Sequence, residues 1–247
     1  MSIRNLAAYA LSAYLSLIPA ASLSSPRHHP SQNRVYHEFS PKKTELAAIV
    51  SPGTDYASSL IKTARKKYGD RLEFAVNGPY FDPRHGKSCG RIISGGVLIT
   101  EGVSDAGVAL IYDESFGGML DIRDSEKIQY TPEFMMDSLV SIFPEYAVRG
   151  RDIGSNRTYR MFIGIKECGN GVIIYDRSRP REARGLREKY HFVKSAIGDG
   201  GSSAMFYEHG NFLIKPSRKL KSIVVGIKKP DKPIEPKQPF GKMLAKK

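Results

Sequence analysis

Between Leu72 and Ile227 short apolar runs recur, each closed by a turn rich in Gly, Asn, Asp or Ser. Runs of this length, rich in β-branched and aromatic side chains, read as strands. They cover Leu72 to Val76, a hairpin from Arg91 to Thr100 turning at Gly95-Gly96, Gly107 to Tyr112, and Met119 to Arg123. A second hairpin joins Arg160–Ile165 to Val172–Tyr175 across Cys168-Gly169-Asn170-Gly171. The last strands are Ala204 to Tyr207, Phe212 to Lys215 and Ser222 to Ile227, and Glu45 to Val50 is an earlier one. Helical spacing is clear at Ala57, Leu60, Ile61, Ala64 and Tyr68, with Thr54 or Asp55 as cap and Gly69 as stop. Thr131 and Pro132 open a second helix carrying Phe134, Met135, Leu139, Ile142 and Phe143. A third covers 177–191 and is weakened by Pro180 and Gly185. Strands and helices do not alternate as βαβ units. The expectation is therefore an α+β fold, a mainly antiparallel or mixed β-sheet core with two or three helices.

The ends of the chain differ from its middle. Arg4 precedes an apolar stretch from Leu6 to Ala21 that is short for a membrane span, and Ala20-Ala21-Ser22 offers small residues for cleavage. Residues 1–22 are thus expected to be a signal peptide that exports the protein, as a secreted, periplasmic or cell-surface chain; a membrane would be met only through an uncleaved signal. Residues 23–34 read as a polar linker, and His28 and His29 there as solvated side chains. Residues 35–227 form the domain. Residues 228–247 hold seven Lys against two acids and read as a basic, disordered tail.

The formal net charge of +13 attracts anionic partners without choosing among them. An export signal and the absence of a basic-aromatic nucleic-acid motif argue against nucleic acid. Cys89 and Cys168, with no CxxC or CxxH spacing, make no zinc site. They allow one disulfide in an oxidising compartment, or stand as two buried thiols.

The chemistry concentrates in Asp199-Gly200-Gly201-Ser202-Ser203, between the apolar Ala196-Ile197 and a strand. Two glycines let a backbone approach a ligand and present its N–H groups to an anion. The hydroxyls add donors and acceptors, and the carboxylate can act as acid, base or nucleophile. The same residues also make an ordinary Gly-rich turn. Asn77-Gly78 lies at another strand end, followed by Tyr80 and Phe81, where an amide and aromatic rings can meet a sugar. Arg160 begins a strand, and a guanidinium is the natural partner of phosphate. No GxSxG, HExxH or Walker pattern occurs. The residues call for no cofactor. A carboxylate loop with hydroxyls has room for a divalent cation, although the repeated acids of a calcium loop are missing.

In their order, these segments resemble the phosphodiester glycosidase family, whose members read AxNGGxF, PxGLxIxxG, RTAIG and DGGxS. The corresponding stretches are Ala75-Val-Asn77-Gly78-Pro79-Tyr80-Phe81, Cys89-Gly90-Arg91-Ile92-Ile93-Ser94-Gly95-Gly96, Arg160-Met-Phe-Ile-Gly164 and Asp199-Gly-Gly-Ser-Ser203. The resemblance spans roughly residues 72–227. It implies one pocket with Asp199, Arg160 and Asn77 as catalytic residues and Gly78, Tyr80, Gly200, Gly201, Ser202 and Ser203 as substrate-binding ones. Pro79 stands where the family has its second glycine, and Met161-Phe162 where it has Thr-Ala, which would narrow the pocket. The implied activity is hydrolysis of a sugar-1-phosphodiester or related glycosidic bond. Arg160 and the Gly200 and Gly201 N–H groups would hold the phosphate, Asp199 would face the reacting carbon or activate water, and Asp82 is the candidate second carboxylate. The alternative is a binding module that holds an anionic glycan or envelope polymer without turnover. Either way the partner is a phosphorylated sugar or anionic glycan.

Overall fold

The structure, a computed structural model, describes residues 34–102, 107–115, 117–141, 158–178 and 183–230, all within the compact unit Ser31–Lys247. The expected signal segment, all of the linker but Arg34, residues 142 and 143 of the expected second helix, and the tail beyond residue 230 lie outside the described residues. Among the described residues, no helix is long and apolar enough to cross a membrane.

Two antiparallel sheets carry the fold. The smaller has five strands: β2 (Thr44–Asp55), β3 (Leu72–Asn77), β14 (Phe206–Glu208), β15 (Asn211–Ile214) and β16 (Leu220–Lys228), in the order β15-β14-β3-β16-β2. The larger has nine. One side is β1 (Val35–Phe39), β12 (Gly171–Ser178), β11 (Thr158–Lys166) and β13 (Phe192–Gly200), in that order. From β13 it continues through β10 (Phe134–Ser141) to β6 (Ile92–Ser94) and β7 (Val97–Thr100), with β8 (Val108–Asp113) and β9 (Met119–Asp124) joined to β10 through β8. A small ribbon pairs β4 (Phe81–Asp82) with β5 (Lys87–Ser88). α1 (Ala57–Tyr68) is the main helix, and α2 (Ala183–Tyr190) has only eight residues.

The period-two rule of strands explains the layering. Along β2 and β3, Leu46, Ala48, Phe74 and Val76 face the larger sheet and join Met161, Ile163, Ile173 and Tyr175 in one core. Their neighbours Ala47, Ile49 and Ala75 point the other way, onto Leu60, Ile61 and Ala64 of α1. The larger sheet alternates likewise: Phe162, Val172, Ile174 and Ile197 turn outward and pack with Leu186 of α2. The order is helix, sheet, sheet, helix. Each fully buried Leu, Ile or Phe in these layers contributes about 1.5–3 kcal/mol. A polar link also crosses the central layer, where His37 of β1 meets Glu208 of β14 at 2.7 Å.

Three expectations change. Residues 134–141 are strand, not helix: Phe134, Met135 and Met136 are all buried, between β6 on one side and β8 on the other. A consecutive apolar run buried on both faces has no period to betray it. The expected two or three helices thus reduce to one main helix and a short second. The N-cap of α1 is also Tyr56, not the expected Thr54 or Asp55, and it makes no side-chain cap bond; Asp55 accepts from the Tyr56 N–H instead. Finally, Cys89 and Cys168 form neither a disulfide with each other nor a buried pair: Cys89 is half-buried and Cys168 exposed.

Candidate functional site

The chain leaves β13, makes a single 3-10 turn over Gly201–Ser203, and enters β14 in the other sheet. Asp199 sits at that crossing. The ladder between β11 and β13 pairs Phe162 with Ile197 and then Arg160 with Gly200, so Gly198 and Asp199 both stand opposite Met161. A bulge of this kind re-aims one side chain away from the sheet's alternation. Glycine is required around it. A Cβ on Gly198 would lie 2.1 Å from the Met161 Cε, and one on Gly200 would lie 2.4 Å from the Tyr159 carbonyl oxygen. Gly201 has φ +61, the left-handed region that other residues avoid. Met161 and Phe162, which stand where the family has Thr-Ala, fill the inner and outer cores on either side of the sheet.

Asn77, the last residue of β3, is 1% exposed. Its Nδ2 donates to the Asp199 carbonyl at 3.0 Å and to the Gly78 carbonyl at 3.3 Å. Its Oδ1 accepts from the Tyr175 hydroxyl at 2.7 Å and from the Met205 N–H at 3.1 Å. Two donor hydrogens and two acceptor lone pairs are all used. The side chain is a clamp across the two sheets that fixes the Asp199 backbone. Gly78 continues the junction, giving its N–H to the Ser222 carbonyl at 3.0 Å.

Asp199 is 5% exposed and its carboxylate is multiply held. Oδ1 accepts from the Gly200 N–H at 2.8 Å, and Oδ2 from Nη2 of Arg218 at 3.2 Å. The Ser203 side chain also bonds it, and the Ser203 Oγ accepts from Nε of Arg218 at 2.6 Å. Burial raises the proton affinity of Asp199 above that of an ordinary carboxyl, and Ser203, Arg218 and the Gly200 N–H oppose it without cancelling it. The Gly200 N–H, expected at the phosphate, is therefore engaged by the Asp199 carboxylate. Ser202 is exposed at the surface of the turn.

Tyr80 and Arg160 complete the neighbourhood. The Tyr80 hydroxyl donates to the Gly198 carbonyl at 3.0 Å. Burial, then the Asp199 charge, raises the Tyr80 phenol well above its usual value, while Arg160 acts in the opposite sense. Arg160 is itself buried, its Nε donating to the Ser178 carbonyl at 3.2 Å. Burial pulls the guanidinium below its ordinary value and Tyr80 opposes that pull. Asp82 is not brought into this group. Its carboxylate bonds His85 and the Arg84 N–H within the β4–β5 turn, and these bonds, His85 first, lower its proton affinity. A cavity of about 300 Å³ lies elsewhere, at the β11–β12 turn, lined by Ser40, Lys42, Leu120, Cys168 and Asn170. That turn is ~20 Å along β11 from Arg160 at the usual rise per residue. Among the described residues, no cluster of three His, Cys, Asp or Glu side chains could hold a metal ion.

Arg218 is the residue that sequence reasoning passed over. It lies in Lys215-Pro-Ser-Arg-Lys-Leu-Lys221, between two expected strands, where nothing in the sequence sets it apart from the neighbouring lysines. The segment is docked on the crossing through the Ser217 N–H, which donates to the Ser202 carbonyl at 3.0 Å. The Arg218 guanidinium then lies over the Phe81 ring, 4.7 Å from its centroid.

A layered α+β sandwich with a buried carboxylate and arginines at its inter-sheet crossing is the class that fold and site define. No family model matches the chain, and no curated protein matches it. Among solved structures, the fold is similar to the zebrafish N-acetylglucosamine-1-phosphodiester alpha-N-acetylglucosaminidase catalytic domain auto-inhibited by its pro-peptide, with a TM-score of 0.60 and 14% identity over 84% of this chain and 87% of that one. It is also similar to a protein of Burkholderia pseudomallei K96243 provisionally described as exported, with a TM-score of 0.58 and 10% identity over 78% of this chain and 73% of that one. A hypothetical protein from Synechocystis has a TM-score of 0.54 and 10% identity over 79% of this chain and 59% of that one. At these identities the likeness is one of fold.

Proposed function

We propose that the protein is an exported hydrolase that cleaves a sugar-1-phosphodiester, or a related glycosidic bond, at the Asp199 crossing. The observation that carries this reading is the approach of β3, β11 and β13 to one junction, where Asn77 binds the Asp199 backbone at 3.0 Å and Arg160 pairs with Gly200. The likeness to a phosphodiester glycosidase domain supports the reaction class, and the apolar segment 6–21 supports export.

The reaction breaks the bond between the anomeric carbon and the phosphate oxygen and adds water at that carbon. The products are the free sugar and a phosphomonoester, with one proton released. Glycosidases ordinarily need two carboxylates, one of them to protonate the leaving group. A phosphate leaves as a stable anion, so one carboxylate is chemically sufficient. Asp199 faces the positive charge that develops at the anomeric carbon, or takes the proton of the attacking water. Arg160 binds the phosphate. Asn77 acts by holding Asp199 in place, not by touching substrate. Gly201, Ser202 and Tyr80 border the approach.

The test is release of free sugar from a panel of synthetic sugar-1-phosphodiesters by the purified protein. Turnover by wild type and its loss in Asp199→Asn is the expected result. Silence across the panel, or equal turnover by both proteins, overturns the reading. Salt-sensitive binding of an anionic glycan without product would point to the non-catalytic module instead.

A further inference from the structure

The carboxylate of a residue that is 5% exposed, between two packed sheets, is costly to ionise unless something compensates it. Several groups face Asp199. Tyr80, from the segment after β3, and Tyr175, from β12, are phenols pushed up by burial and so carry no charge near neutral pH. Arg160 on β11 acts on Tyr80. Ser203 and the Gly200 N–H are neutral donors. Among the described residues the cation in contact is Arg218, reaching in from the segment that precedes β16.

Its geometry is a fork. Nη2 meets Asp199 Oδ2 at 3.2 Å while Nε meets Ser203 Oγ at 2.6 Å. The Phe81 ring lies against the guanidinium, 4.7 Å from centroid to Cζ. The main chain is pinned one residue away by the bond between the Ser217 N–H and the Ser202 carbonyl. A planar guanidinium with fixed donors suits this bridge; an ammonium reaches only one of its two ends. The arrangement exceeds what a surface ion pair needs, because the arginine is oriented on three sides.

We propose that Arg218 is a positioning residue that bridges Asp199 and Ser203, keeps the buried carboxylate ionised, and thereby sets the lowest pH at which the site works. This rests on the reading of Asp199 as the reacting carboxylate, but its test needs no substrate. An opposite charge in contact lowers a carboxyl pKa by about 1–3 units. Removing it lets burial act unopposed by that charge, so Asp199 holds its proton to higher pH.

The experiment is a carbon-13 NMR titration of the full chain labelled at aspartate carboxyl carbons, with Asp199→Asn assigning the resonance. In Arg218→Gln the Asp199 midpoint is expected to rise by about one pH unit or more. In Arg218→Lys it is expected to fall between that value and wild type. An unmoved midpoint in a folded Arg218→Gln protein overturns the proposal. If that variant does not fold, Arg218→Lys decides: a raised midpoint supports the bridge and an unchanged one overturns it. With an active substrate, the acid limb of kcat/KM moves up with the midpoint. A moved midpoint without hydrolysis in wild type refutes the proposed function and leaves the role of Arg218 standing; hydrolysis with an unmoved midpoint does the reverse.

Discussion

Asn77 and Asp199 illustrate opposite uses of burial. Asn77 is satisfied at every polar atom. Asn77→Ala therefore leaves the Tyr175 hydroxyl and the Met205 N–H without an acceptor and the Asp199 carbonyl without its donor. Each such loss costs about 1–3 kcal/mol, so destabilisation on the order of 3 kcal/mol is expected in urea unfolding. Asp199 runs the other way. Its folded pKa is raised, so the stability it contributes is fully present below the ordinary carboxyl pKa and is lost as pH rises through the folded value. Asp199→Asn should be at least as stable as wild type near neutral pH, measured by thermal unfolding, even as it abolishes turnover. A marked loss of stability would mean that the ion pair with Arg218 outweighs the cost of burying the charge. At this scale Asp199, Asn77 and Arg160 were legible in the sequence because each stands beside glycines or at a strand end. Arg218 was not, since one cation in a run with Lys215, Lys219 and Lys221 carries no local sign of its partner.

The hairpins were the most legible elements. Ser94 pairs with Val97 across Gly95-Gly96, and both glycines have positive φ, as a two-residue turn demands. β10 was the least legible, because Phe134, Met135 and Met136 are buried regardless of face and only their partners, β6 and β8, mark them as strand. The bulge in β13 was invisible too: it exists only relative to β11. Its glycines nevertheless make a testable contrast. Gly200→Ala drives a Cβ against the Tyr159 backbone, which cannot yield without breaking the ladder, whereas Gly198→Ala meets the mobile end of Met161. Overpacking costs about 1–3 kcal/mol, and Gly200→Ala should lie at the upper end and Gly198→Ala near the lower when both are compared by denaturant midpoint. The reverse order would mean that the site tolerates movement of β11 more readily than repacking of the core.

Across the whole molecule, the pattern of strands announced an α+β protein with a mainly antiparallel or mixed sheet but not its division into two sheets. That division depends on which apolar face of β2, β3 and β16 meets the larger sheet and which meets α1, and both faces of these strands are apolar. The division matters because the proposed site lies where the chain changes sheets, held by Asn77 on one side and by the β11–β13 ladder on the other. A crossing of this kind keeps a buried carboxylate rigid without a dedicated loop of its own. The most direct test of the account is hydrolysis of a synthetic sugar-1-phosphodiester in oxygen-18 water, with both products read by mass spectrometry. Cleavage at the anomeric carbon predicts the heavy oxygen in the sugar and none in the phosphomonoester, with no turnover by Asp199→Asn. Heavy oxygen in the phosphate, or undiminished turnover by that variant, would contradict it.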